Sequence, residues 1–108
     1  RRSDQRQVNL IRTTGGTGFS ERDRTPEATM TVATRLAPGI AEAIRAGSMK
    51  ITKRAMLSRE TSVIRNKTLI VNLPGSPKAV AESLELVIDQ LNHGIKSLLG
   101  RTGECARN

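Results

Sequence analysis

At 108 residues the chain has room for one domain with a modest core, and one Phe with no Trp or Tyr makes that core aliphatic and argues against recognition of bases by stacked aromatics. The formal charge of +8 favours anionic partners, whether nucleic acid, an acidic membrane surface or a phosphorylated small molecule, without choosing among them. A single thiol, Cys105, provides neither a disulfide framework nor a cysteine metal site, and no apolar run approaches a membrane span or a signal peptide, so the chain reads as cytoplasmic.

Residues 1–7 are polar, with three Arg, and read as a frayed end. Val8, Leu10 and Ile11 then give a strand over Val8–Thr13, interrupted by Arg12, whose charge must reach solvent or an anion. Gly15, Gly16 and Gly18 follow and remove the side chains that would keep an anion from the backbone N–H groups, a cradle of phosphate size. Arg22 can neutralise such an anion and Asp23 can hold Mg²⁺ through oxygen. Thr25 suits an N-cap and Pro26 the first helical position, so a helix points its positive end back at the loop. The spacing of Ala28, Val32, Ala33 and Leu36 predicts that this helix continues to Pro38-Gly39. A second helix carries Ile40, Ala43 and Ile44 on one stripe, with Gly47 as its left-handed C-terminal turn and Ser48 at its exit.

From Arg45 to Lys67 there are seven Lys or Arg against one acid, Glu60, which reads as a solvated basic face. Thr61–Arg65 and Thr68–Leu73 are two strands about an Asn66-Lys67 turn. Asn72 to Lys78 then repeats the first device: strand, glycine turn, hydroxyl N-cap at Ser76, Pro77 at the first helical position. Two such helix starts on neighbouring strands would enclose a crevice at the carboxyl edge of a sheet. Val80, Leu84, Val87, Leu91, Ile95 and Leu98 form the stripe of a long last helix that covers the sheet or a subunit neighbour. His93 has no clustered acid or thiol and reads as structural, Gly100 closes the helix, and residues 101–108 read as a disordered tail.

The string T-T-G-G-T-G-x-x-x-R-D-x-T-P-E-A-T from Thr13, the A-P-G of Ala37 to Gly39, the M-L-S-R of Met56 to Arg59 and the K-T-L-I-V-N-L-P-G-S-P-K of Lys67 to Lys78 together resemble the signature of the molybdopterin adenylyltransferases, the MogA/MoaB-like family that includes the G domain of gephyrin. The likeness runs from roughly residue 8 to residue 99. It implies a three-layer αβα domain over residues 1–100 with a mixed, mostly parallel sheet, lacking the family's N-terminal strand-helix-strand portion. It also implies transfer of AMP from ATP to molybdopterin with release of pyrophosphate, Mg²⁺ as cofactor, a homotrimer, and a molybdenum-insertion enzyme as partner, with neither membrane nor nucleic acid. Asp23 and Arg22 would be catalytic and Asp23 the metal ligand. Substrate would be held by Thr14, Gly15, Gly16, Thr17, Gly18, Thr25, Pro26 and Glu27 on one wall, and by Ser48, Ser58, Arg59, Asn72, Pro74, Gly75, Ser76 and Lys78 on the other. The chain departs from the family pattern at Arg12, Glu21, Arg24, Ser62 and Asn66, the last two standing where glycines are usual. A non-catalytic molybdopterin-binding or scaffold domain is the second expectation, and nucleic-acid binding rests on charge alone.

Overall fold

Strand β4, Thr68–Leu73, is buried along its whole length, and the other elements are arranged about it. The computed structural model describes residues 10–100. β1 (Leu10–Thr14) runs parallel to β4, with Leu10 opposite Leu69 and Thr14 opposite Leu73. β3 (Ser62–Arg65) pairs antiparallel on the other side, and the two-residue β2 (Arg35–Leu36) pairs antiparallel with β3, giving the order β1-β4-β3-β2. The sheet is mixed as expected, with one parallel and two antiparallel pairings among the described residues. Asn66 turns the β3–β4 hairpin at φ 53°, a left-handed conformation that Asn tolerates better than most residues.

The pleat of β4 sorts its side chains into two layers. Leu69, Val71 and Leu73 join Ile44 of α2 (Gly39–Met49) with Val87 and Leu91 of α3 (Pro77–Leu98), and this aliphatic cluster is the core. Each of those side chains contributes about 1.5–3 kcal/mol by burial. On the other face Asn72 meets α1 (Thr25–Val32), which completes the third layer. Helix α3 begins as its sequence predicts: the Ser76 hydroxyl accepts the Ala79 N–H at 3.1 Å and Pro77 follows it. Buried Ser62, at a usual glycine position, stitches β3 to α2 by accepting the Ala41 N–H at 3.0 Å and donating to the Ala37 carbonyl at 2.6 Å. Arg12 is exposed on edge strand β1, which removes the cost of burying its charge.

Four local expectations need correction. Helix α1 stops at Val32 rather than Leu36, because Thr34 donates its N–H and hydroxyl to the Ile64 carbonyl, Ala37 donates to Ser62, and the chain between them extends as β2. Sheet pairing there outweighs helical spacing. The N-cap of α1 is Arg24, with no side-chain cap; Thr25 is already helical and its N–H donates to the Gly16 carbonyl at 3.1 Å. Gly47 lies inside α2, which runs on to Met49, and a Cβ there would stand 2.5 Å from Leu86 Cδ1, so Gly47 permits the approach of α3 rather than a left-handed turn. The basic stretch is not one solvated face: Arg45, Arg59 and Arg65 turn to backbone carbonyls. The start of the predicted first strand at Val8 and the tail at 101–108 lie outside the described residues.

Candidate functional site

Parallel β1 and β4 end side by side, which brings the two glycine turns into contact. Gly15 donates its N–H to the Leu73 carbonyl at 3.0 Å, and a Cβ on Gly75 would lie 3.4 Å from Gly15 Cα. Gly15 and Gly16 both adopt positive φ, at 80° and 71°, a path closed to most L-residues and the reason the turn needs glycine. Among the described residues, the N–H groups of Gly16, Thr17 and Gly18 in the first turn and of Gly75 and Ser76 in the second take no hydrogen-bond acceptor. These are the donors that a phosphate site requires.

The loop between Thr17 and Glu27 is held from across the chain by Arg59. Its N–H donates to the Thr17 carbonyl at 2.7 Å and its Nε to the Gly18 carbonyl at 2.8 Å, while its guanidinium also reaches the Asp23 carbonyl and forms an ion pair with Glu27 at 2.5 Å. The hydrogen bond from Arg59 is the main cause that holds the Glu27 carboxyl below the usual range, and Glu27 in turn raises Arg59. This pair shapes the loop, and its donors and acceptors are already committed. Asp23 shapes it too: Oδ2 accepts the Ser20 N–H at 3.0 Å and sits where a side chain on Gly18 would go. Arg22 projects into solvent beside it.

A pocket of about 430 Å³ opens between the two turns, α2 and the start of α3. Of the residues proposed from the sequence, Thr17, Gly18, Ser48, Ser58, Pro74 and Gly75 line it, and Thr14 joins Gly75 in a shallower depression alongside. Arg22, Asp23, Thr25, Pro26, Glu27, Arg59, Ser76 and Lys78 are not among the residues that line the pocket, nor are Gly15 and Gly16. Asn72 lies behind the wall rather than on it. It is fully buried, donates to Thr13 and Thr29 hydroxyls at 2.9 Å each, and accepts the Thr61 N–H at 3.1 Å, so it pins β1, α1 and the β3–β4 pair together.

Sequence reasoning missed Phe19, Ile51, Leu57 and Glu60 in this pocket. Phe19, the lone aromatic, is 69% exposed on the pocket wall instead of in the core, so one stacking surface exists after all. Its place inside the glycine loop was the available signal, as was the isolation of Glu60 in a cationic stretch. Burial pushes the Glu60 carboxyl up, against the opposing charge of Arg45 and a hydrogen bond from Ser58. Among the described residues no cluster of three or more His, Cys, Asp or Glu could hold a metal, and no helix is long and apolar enough to cross a membrane.

The family model described as "Probable molybdopterin binding domain" matches residues 2–93. The chain belongs to this family. As a member of the molybdopterin-binding-domain family it is 46% identical over 97 residues to the molybdopterin adenylyltransferase of Helicobacter pylori strain J99, covering 90% of this chain and 55% of that relative. It is 49% identical over 86 residues to the molybdopterin adenylyltransferase of Escherichia coli K12, covering 80% and 44%. Its fold superimposes with a TM-score of 0.84 on the molybdopterin biosynthesis enzyme MoaB of Thermus thermophilus, at 46% identity, over 92% of this chain and 62% of that one. The family domain described here thus spans about half the length of the curated relatives it matches.

Proposed function

We propose that this domain acts in molybdenum cofactor biosynthesis as part of a molybdopterin adenylyltransferase, joining AMP from ATP to the terminal phosphate of molybdopterin. An oxygen of the pterin phosphate attacks the α-phosphorus, the bond from that phosphorus to the bridging β-oxygen breaks, and pyrophosphate leaves with the electron pair. The observation that carries the reading is the abutting pair of glycine turns, Gly15 against Gly75, with unpaired N–H groups on both sides of one pocket. Two phosphate-bearing substrates held on neighbouring turns need positioning and charge neutralisation more than a protein nucleophile. The amides of Gly16 to Gly18 hold one set of phosphate oxygens and those of Gly75 and Ser76 the other. Arg22 and Lys78, both exposed and each following one of the two turns, offset charge developing on the leaving group. The similarity to adenylyltransferases of two bacteria supports the reaction type.

Mg²⁺ fits this chain poorly. Asp23 brings one carboxylate with an oxygen already accepting from Ser20, and the described residues form no metal cluster, so no step is routed through the ion. That observation favours a second reading, a molybdopterin-binding or scaffold domain without turnover. A homotrimer, cytoplasmic location and contact with a molybdenum-insertion enzyme accompany both readings as proposals. The test is ATP-dependent pyrophosphate release that requires added molybdopterin, run beside equilibrium binding of molybdopterin. Release with binding supports the transferase; binding without release selects the scaffold reading; absence of binding removes both.

A further inference from the structure

The pocket between the turns contains a buried carboxyl group that phosphate chemistry does not use. Glu60 lines it, is 4% exposed, and is fixed by its backbone: Arg45 Nη2 donates to its carbonyl at 2.7 Å, and its N–H donates to Ser58 Oγ at 3.3 Å. Of its carboxyl oxygens, Oε2 is sealed from solvent and has no hydrogen-bond donor. A buried acceptor without a donor is unfavourable, and such groups mark sites where a ligand supplies the missing partner. The phosphate-binding amides of Thr17, Gly18 and Gly75 belong to the turns of the same pocket, and a carboxylate there would repel a phosphate rather than bind it. Part of the wall is apolar, although Arg54 and Glu82 also line it. Phe19, Ile51 and Leu57 line the same pocket and are all exposed, an arrangement that gains burial when a flat ring enters between them. Exposed apolar side chains beside a buried, unmet acceptor suit a heterocycle with an N–H edge.

We infer that Glu60 reads the pyrimidine edge of a pterin, accepting hydrogen bonds from its ring N3–H and 2-amino group. This rests on the reading of the pocket as a molybdopterin site and adds the residue that selects the ring. Of the two rings that the proposed reaction brings together, the pterin offers two adjacent donors on that edge, whereas adenine alternates a donor with an acceptor. Two carboxyl oxygens match the first pattern and not the second. The fixed Glu60 backbone keeps the carboxyl at the pocket wall. Neighbouring Ser58 remains free to hold the other oxygen.

The test uses two probes on the 108-residue chain: pterin (2-amino-4-oxopteridine) and lumazine, in which an oxo group replaces the 2-amino donor, both followed by ligand fluorescence in equilibrium titrations. The wild-type chain is expected to prefer pterin about tenfold, the lower part of the range for leaving one buried acceptor unpaired. Glu60→Gln, whose amide can donate to the new oxo group, is expected to bring the two affinities within about twofold. Glu60→Leu, checked for retained helix and strand by circular dichroism, is expected to do the same. Equal binding of the two probes by the wild type overturns the inference while leaving the pterin site standing, and this comparison needs no variant to fold. A preference unchanged in Glu60→Leu also overturns it. Failure of the wild type to bind either probe overturns the inference and the site reading together.

Discussion

The Thr25 hydroxyl occupies the place that a side chain on Gly16 would need: a Cβ on Gly16 would lie 2.2 Å from Thr25 Oγ1, while the Gly16 carbonyl accepts the Thr25 N–H at 3.1 Å. The turn and the first helix are thereby one unit, closed by a contact that tolerates no methyl group. Gly16→Ala is expected to cost about 1–2 kcal/mol from the positive φ alone, and more once the clash is included. Urea unfolding checks this. Adding Thr25→Ala should recover the clash and not the backbone strain, so the double variant should be more stable than the sum of the singles predicts. Strict additivity would show that the hydroxyl does not crowd this position.

The Arg59–Glu27 pair gives the loop a pH dependence of definite sign. Glu27 is held below its ordinary range chiefly by the hydrogen bond from Arg59, so its contribution is present above the unfolded carboxyl value and is lost as pH falls through the depressed folded one. Both partners are partly exposed, which makes the effect on global stability small and the effect on the loop the better readout. Hydrogen-exchange protection of the Ser20 and Asp23 amides, corrected for intrinsic rates, should therefore decrease on acidification in the wild type. Glu27→Gln should flatten that dependence, and Arg59→Ala should remove the protection at neutral pH, since it also frees the carbonyls of Gly18 and Asp23. A pH profile in Glu27→Gln identical to the wild type would exclude this ion pair as its source.

Motifs that act through backbone were legible in the sequence. Glycine at 15, 16 and 75, Ser76 and Pro77 each specify a local conformation, and the structure places each in the turn or cap it predicts. The apolar stripe of α3 likewise found the core through Val87 and Leu91. What failed depends on partners distant in sequence. Leu36 continues a helical spacing, yet Ile64 and Ser62 offer carbonyls to its neighbours Thr34 and Ala37, and the segment becomes an edge strand. Arg59 sits in a motif that suggests a substrate ligand, but its guanidinium has acceptors at Gly18, Asp23 and Glu27, 32 to 41 residues away. Asn72 looks like a wall residue at the end of a strand, and the pleat turns it toward α1. Periodicity carries no information about these long-range acceptors.

Asn72 should be among the least replaceable residues. Asn72→Ala removes two donors and one acceptor that meet Thr13, Thr29 and Thr61, and leaves the Thr61 N–H and two hydroxyls to find other partners. A loss of about 2–4 kcal/mol is expected, read by thermal or urea unfolding. Asn72→Asp should also destabilise, although it is isosteric. The Thr29 hydroxyl already donates its proton to the Thr25 carbonyl at 2.8 Å, so an aspartate would set acceptor against acceptor in a buried site. A change below about 0.5 kcal/mol for either variant would mean that the network is dispensable.

Asp23 separates loop shape from chemistry. Its Oδ2 accepts the Ser20 N–H at 3.0 Å, its own N–H donates to the Ser20 carbonyl at 2.9 Å, and a Cβ on Gly18 would lie 2.8 Å from that Oδ2. In Asp23→Asn the new amide oxygen can take over the Ser20 contact, with the NH₂ group directed away from Gly18, so the loop should keep its form and the unfolding midpoint should stay within experimental scatter. The substitution removes only the charge. If that charge orients phosphate or metal during AMP transfer, pyrophosphate release should decrease about a hundredfold or more, the usual scale for one electrostatic contributor, with molybdopterin affinity changed by less than about twofold. Asp23→Ala provides the contrast, because it deletes the Ser20 contact as well and should reduce both binding and turnover. Turnover in Asp23→Asn equal to that of the wild type would confine Asp23 to shaping the turn and would place the source of charge at Arg22, Lys78 or outside this chain.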